Sequence, residues 1–363
     1  MDIRDLYLKI DELMGKEVTL SGWIRNHRKQ KEFGFIDFSD GTDFRHVQLV
    51  YTNELSDFDD ITKLKIGSAI EVKGLVSKSE GSGQEFEVKV ENIKLLGDCP
   101  DDYPIQPKRH TREFLREQAY LRPRTNLFQA VFRVRSVAAM AIHEYFQSHN
   151  YVYVHTPLLT TADCEGSDQM FKITSLPLDK IKGDIDFSKD LFGKKTFITG
   201  SGQLHGETFA LSYKKIYTFG PTFRTENSNT KTHANEFWMI EPEISFCDLD
   251  GLMDIEFLKY VVKYVLDHCK EEIEFCDKFV EPGTKEKLEK LVSSKFTRID
   301  HHDVIDLLLN SGEKWEFTPS YDEDIAKEHE KWLTKHFNGP VFVKNWPKDI
   351  KAWYMIAFNF LTN

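Results

Sequence analysis

Between Ile216 and Phe246 the chain reads IYTFGPTFRTENSNTKTHANEFWMIEPEISF, which places Arg224, Glu226, His233, Phe237 and Glu241 within one short stretch. Arginine and histidine suit an anion such as a phosphate. An aromatic ring such as Phe237 offers a stacking face for a base, and carboxylates take amino groups or a metal. The set suits a nucleotide together with an amino compound. An ordinary hairpin with surface charges is the competing reading, because these residue types recur on many surfaces.

Two apolar and aromatic runs, 216–224 and 236–246, flank a polar segment, 225–235, whose one aliphatic residue is Ala234. That pattern predicts an antiparallel strand pair joined by a long loop. Thr218, Gly220, Thr222, Arg224 and Glu226 share one strand parity, so the arginine and the glutamate point to the same face. In the second run Phe237, Met239, Glu241, Glu243 and Ser245 share a parity. Charge mixed with apolar packing on a sheet face costs free energy unless a ligand or partner charge satisfies it. Loops this long are more often functional than decorative.

The stretch FGPTFRTENSNTKTHANEFWMIEPEISF resembles motif 2 of the class II aminoacyl-tRNA synthetases, and FRTENSNT with EFWMIEPE is similar to its asparaginyl version. The resemblance runs from the N-terminus to about Tyr354. It implies a two-step reaction, in which asparagine's carboxylate attacks the α-phosphate of ATP and a terminal hydroxyl of tRNA(Asn) then takes the acyl group. It further implies that Arg224 bridges carboxylate and α-phosphate, Phe237 stacks on adenine and His233 approaches the γ-phosphate. Glu226 then reads the adenine amino group or binds the tRNA acceptor end. Glu241 faces the substrate's polar end, where aspartate-specific relatives carry an aspartate.

Composition sets bounds on this. At 363 residues the chain has room for two or three domains, and 28 phenylalanines argue for packed sheets rather than disorder. A net charge of −11 argues against coating nucleic acid through an overall field, though a local basic patch still binds it. Five cysteines, Cys99, Cys164, Cys247, Cys269 and Cys276, form no C-x-x-C pair and read as reduced thiols of a cytoplasmic protein. The start, MDIRDLYLKIDE, is charged throughout and no apolar run reaches the length of a membrane span.

Residues 1–100 carry five β-rich runs, VTLSGWIRNHR, FGFIDFSD, HVQLVYT, SAIEVKGLVS and EFEVKVENIKLL, with a short helical pattern at Ile61–Leu64 between the third and fourth. Five strands in this length suit an oligonucleotide-binding (OB) barrel, which binds single strands on its second and third strands. Phe35 and Gln48 fall there by order, and core packing of Phe35 is the alternative. Aspartyl-, asparaginyl- and lysyl-tRNA synthetases have such a barrel. Their resemblance implies that Phe35 stacks on the central anticodon base and Gln48 assists, with Arg25 and Glu87 as further anticodon contacts.

Prolines 100, 104 and 107 mark a linker, 101–125, which also carries Lys108, Arg109, Arg112, Arg116, Arg122 and Arg124. A solvated helix face and a tRNA backbone contact both fit this charge run. The remainder, 126–363, reads as a catalytic domain. Apolar residues from Leu127 to Tyr145 recur at the helical period, and YVYVHTPLL follows as a strand. This segment resembles motif 1, which implies a homodimer through residues 126–159. TTADCEGSDQMF resembles the loop that closes over the amino acid, with Glu165 matching the residue that holds the α-amino group. FITGSGQLHGETF resembles the strand and loop whose glutamine, here Gln203, also contacts the amino acid. An amphipathic helix is expected over 248–270 and another over 323–337. His301, His302 and Asp303 invite a metal reading, which the helix geometry disfavours, since adjacent histidines do not face one site.

The expected fold is α+β: a five-stranded OB barrel, then a class II antiparallel sheet flanked by helices. After AWYM the resemblance implies a strand with acidic Mg2+ and ATP ligands and then a glycine-rich motif 3, whereas the 363 residues read IAFNFLTN. The expectation is therefore a C-terminally truncated catalytic domain that does not charge tRNA by itself. Alternatives are a tRNA-binding or dimerising module without catalysis and an aspartate-specific synthetase.

Overall fold

A computed structural model describes residues 1–81, 83–163, 170–225, 233–253 and 256–351. The contacts divide the chain into two compact units, 1–137 with 265–288, and 138–264 with 289–363.

The first unit holds a closed barrel of β1 (Glu17–Lys29), β2 (Phe33–Ser39), β3 (Val47–Thr52), β4 (Ala69–Lys78) and β5 (Phe86–Gly97), ordered β1-β2-β3-β5-β4. Alternation drives it: Val18, Leu20 and Ile24 of β1, Ile36 and Phe38 of β2, and Val47, Leu49 and Tyr51 of β3 all point into one apolar core. Gly34 pairs with Tyr51, and any Cβ at Gly34 would lie 2.2 Å from the tyrosine ring. The barrel closes over this ring because residue 34 has no side chain. An N-terminal helix that the sequence pattern did not reveal, α1 (Ile3–Leu8), buries Ile3 and Leu6 in the same core. Its first amide donates to Asp40 at 2.7 Å. The predicted short helix between the third and fourth strands lies at Phe58–Ile61.

The linker is ordered around Cys99, Tyr103, Ile105, Leu115 and Leu121, which form a small core of their own. Arg122 lies over the Phe128 ring at 4.8 Å and Arg124 over Tyr103 at 5.5 Å, so part of the basic run packs on aromatics. Lys108, Arg109 and Arg112 instead line a cavity of about 1070 Å³ between barrel and linker.

The predicted long helix is α2 (Asn126–Ser148). Its later residues Ile142, Tyr145 and Phe146 are buried, whereas Val131, part of the expected apolar stripe, is 43% exposed and Met140 is 60% exposed. YVYVHTPLL contributes a strand of only two residues, β6 (Val152–Tyr153), which pairs in parallel with β8 (Lys215–Phe223). β8 pairs antiparallel with β9 (Glu236–Ile244), as the two flanking runs predict. Tyr217 anchors this second core: it is fully buried, stacks on Phe146 at 4.6 Å and Tyr153 at 5.0 Å, and meets His143 Nδ1 at 2.8 Å through its hydroxyl. A short strand, β7 (Thr196–Ile198), leads through Gly200–Gly202 into α3 (Gln203–Tyr213), which lies on the β8–β9 hairpin.

The single helix expected over 248–270 is two helices, Leu249–Met253 and α4 (Phe257–His268). Further on, β10 (Thr297–Asp300) pairs in parallel with β11 (Val341–Lys344), and the helices His301–Leu309 and Lys327–His336 pack through Val304, Ile305, Leu308 and Leu333. His301 is buried with Nε2 at 3.1 Å from the Glu323 carbonyl, whereas His302 is exposed beside Asp303 and Asp306. The two histidines face different directions, as helix geometry requires.

Candidate functional site

The β8–β9 register joins the two parity sets read from sequence. Thr218 pairs with Glu241, Gly220 with Met239 and Thr222 with Phe237, so all six share one face. Arg224 continues that face past the end of β8. Its Nε and Nη2 each donate to the Gly200 carbonyl at 3.2 Å. Its guanidinium lies 5.6 Å from the Phe237 ring centroid, and Met239 Sδ is 4.0 Å from Nη2. Arginine and aromatic thus form the loop-side end of the face. His233 is exposed ahead of β9. Glu165 and Glu226 lie outside the described residues.

The other end of the face is organised by Glu241. Ser201 Oγ donates to Oε1, the Gly202 amide donates to Oε2 at 3.1 Å, and Thr218 Oγ1 donates to Oε2 at 2.8 Å. Three donors on one carboxylate make it an oriented acceptor. Gly202 is required by close approach: a Cβ there would sit 2.8 Å from Thr156 Oγ1 and 3.1 Å from Glu241 Oε2. Gln203 opens α3, its amide donating to Ser201 Oγ at 3.1 Å and its side chain to Glu207 at 3.0 Å. Gln203 and Glu241 were candidates from the sequence, whereas Ser201 and the hydroxyl of Thr218 were not. Thr218 was within reach, because it lies on the same parity as Arg224 and directly opposite Glu241.

Glu243, two residues beyond Glu241 on this face, lies beside Gly206 of α3. Burial, and then the Glu207 and Glu241 carboxylates, push it from an ordinary 4.5 up to about 7. The folded chain therefore keeps a proton that the unfolded chain releases, so stability falls as pH rises from about 4.5 to about 7. Glu243→Gln is expected to flatten this interval. Its melting temperature should rise relative to wild type between about pH 5 and about pH 8. Melting curves that shift in parallel for the two proteins would contradict the assignment.

On the barrel, Phe35 is half-buried on the outer face, while its neighbours Ile36 and Phe38 fill the core. The core alternative for Phe35 is thereby set aside. Gln48 donates to Glu87 at 3.3 Å, and Ser79 donates to the same oxygen at 3.1 Å. The arginine beside them is Arg28, paired with Phe35 across the β1–β2 ladder, 5.1 Å from the Phe35 ring and donating to Gln48 at 3.0 Å. Arg25, the arginine expected here, is turned to the linker and donates to the Arg124 carbonyl. A β-bulge between Ile24 and Asn26 falls at Arg25 and re-aims its side chain. The structure brings Phe35, Gln48, Glu87 and Arg28 together and leaves Arg25 outside that group.

Residues 111–359 match the family described as tRNA synthetases class II (D, K and N), and residues 18–96 match the OB-fold nucleic-acid-binding domain. The chain belongs to the class II tRNA synthetases of the D, K and N group. It is 55% identical over 363 aligned positions to the asparagine–tRNA ligase of Acholeplasma laidlawii, and 50% over 360 to that of Clostridium beijerinckii. These alignments span 98% and 97% of this chain and 78% of each relative. The structure superposes on asparaginyl-tRNA synthetase from Pyrococcus horikoshii complexed with asparaginyl-adenylate, with a TM-score of 0.79 and 29% identity, covering 95% of this chain and 74% of that one. Within the group, the chain is a member of the asparaginyl-tRNA synthetase family.

Proposed function

We propose that the β8–β9 face of this asparagine–tRNA ligase is where asparagine is joined to AMP before transfer to tRNA(Asn). The observation that carries this reading is the order of groups along one face. Arg224 and Phe237 stand at the loop end, suited to phosphate and adenine, and Glu241 stands at the other end, held by three donors. A carboxylate oxygen of asparagine attacks the α-phosphorus of ATP and the bond to pyrophosphate breaks. Arg224 neutralises charge as the pentacoordinate centre forms. A terminal tRNA hydroxyl then attacks the acyl carbon and AMP leaves. Gln203 and Glu165 hold the amino acid, while Glu226 and His233 serve the nucleotide or the acceptor end.

Magnesium accompanies ATP in such reactions. Among the described residues of this face, the carboxylates Glu207, Glu241 and Glu243 lie at the α3 end, and Glu241 already accepts three donors. That set does not fit a metal on the triphosphate, and no step here runs through one.

Residues 1–100 act as the anticodon-binding domain, 101–125 as hinge and 126–363 as catalytic domain. Exposed Val131 and Met140 on α2 support a homodimer through 126–159. Among the described residues no helix is long and apolar enough to cross a membrane. A cytoplasmic location agrees with free Cys99, Cys247, Cys269 and Cys276.

Calorimetry with a non-hydrolysable ATP analogue present tests the reading. Asparagine is expected to bind and aspartate is not. Binding of aspartate in preference to asparagine would favour the aspartate-specific alternative, and failure of both would remove the site from this face.

A further inference from the structure

Among the described residues, Glu241 is the most heavily bonded acid on the β8–β9 face, and the way it is held has a consequence for which amino acid is accepted. A carboxylate offers about four acceptor positions. Ser201 Oγ fills one on Oε1, while the Gly202 amide and Thr218 Oγ1 fill two on Oε2. Among the described residues this leaves a single position, on Oε1, whose direction the clamp has fixed. That position takes an N–H donor, as on a side-chain amide, and repels a second carboxylate.

Of the three donors, the Gly202 amide is backbone, and Ser201 also receives the Gln203 amide at 3.1 Å. Thr218 is the donor that comes from the hairpin itself. It is 4% exposed, sits directly opposite Glu241 in the ladder, and its Cγ2 lies 3.2 Å from the place a Cβ would occupy at Gly202. The methyl thus packs under the Gly200–Gly202 turn while the hydroxyl holds the acid, and the two roles are separable by substitution.

We propose that Thr218 is a positioning residue for amino-acid selection: its hydroxyl fixes Glu241 Oε2 so that one acceptor position meets an amide-bearing substrate, and asparagine is preferred to aspartate. The proposal rests on the adenylate site assigned above. Losing the hydroxyl frees Oε2 to rotate and to accept water, which a carboxylate-bearing ligand tolerates better.

The test uses the 363-residue chain with two probes, the asparaginyl and aspartyl sulfamoyl-adenosines, and ATP as a third ligand whose contacts lie at the other end of the face. T218V keeps the methyl packing and removes the hydroxyl. It is expected to weaken the asparaginyl probe about tenfold or more, to leave the aspartyl probe no weaker, and to leave ATP unchanged. T218S keeps the hydroxyl and is expected to stay within about threefold of wild type for all three. Should T218V not fold, T218A must show the same loss of preference. A T218V or T218A protein with the wild-type ratio of the two probes overturns the proposal. So does T218S losing the ratio, which would assign the effect to shape. Wild type that binds ATP but prefers neither probe would overturn the selection role alone, whereas wild type that binds none of the three would overturn the adenylate site and this proposal with it.

Discussion

Replacing Arg224 by alanine is expected to reduce asparagine-dependent ATP–pyrophosphate exchange, wherever the parent activity is measurable, by about 10²–10³, the range for removing one preorganised donor from a developing charge. The same substitution should weaken binding of the asparaginyl sulfamoyl-adenosine. The guanidinium is aimed before any ligand arrives, because two of its nitrogens share the Gly200 carbonyl and its plane lies near the Phe237 ring. Gly200 begins the turn that also carries Ser201 and Gly202, so the arginine is set by the backbone segment that sets Glu241. Arg224→Lys keeps the charge but loses the planar fork, and it should recover only a minor part of the loss. Probe affinity for Arg224→Ala within tenfold of wild type would contradict this role.

The second large effect is expected on RNA. Residues 1–105 should fold alone, because every buried residue of the barrel core, from Ile3 to Ile93, lies within them. In that fragment Phe35→Ala should weaken binding to the asparagine anticodon stem-loop by about 1–3 kcal/mol, the range for one base–aromatic stack. The half-buried ring on the outer face of the barrel and the Arg28–Gln48–Glu87 hydrogen bonds beside it form a stacking face next to hydrogen-bonding groups. Arg28→Ala should weaken binding as well, whereas Arg25→Ala, whose partner in the full chain is the Arg124 carbonyl, should leave RNA binding unchanged. Fluorescence anisotropy with equal affinities for wild type and Phe35→Ala would take Phe35 off the binding face.

The hairpin was legible because strand parity is a strict period. Spacing alone places Thr218, Thr222 and Arg224 on one face of the first strand and Phe237 and Glu241 on one face of the second, and the register unites the two sets. The barrel was legible for the same reason. Arg25 was misplaced because a bulge breaks the period at that residue, and nothing in the local sequence marks it. α1 was missed because a six-residue helix shows too little of its period, and only Ile3 and Leu6 reach the core. Val131 fits a helical stripe yet is exposed, since periodicity identifies an apolar face and leaves open what covers it. Ser201 owes its place to the turn after β7, where backbone geometry rather than a repeat decides direction.

The most direct test is a crystal structure of the chain with the asparaginyl sulfamoyl-adenosine. The probe should lie along the β8–β9 face with adenine on Phe237, the sulfamoyl group on Arg224 and the asparagine end against the Ser201–Glu241–Thr218 cluster. A probe bound elsewhere, or bound on this face with its asparagine end away from Glu241, would contradict the account.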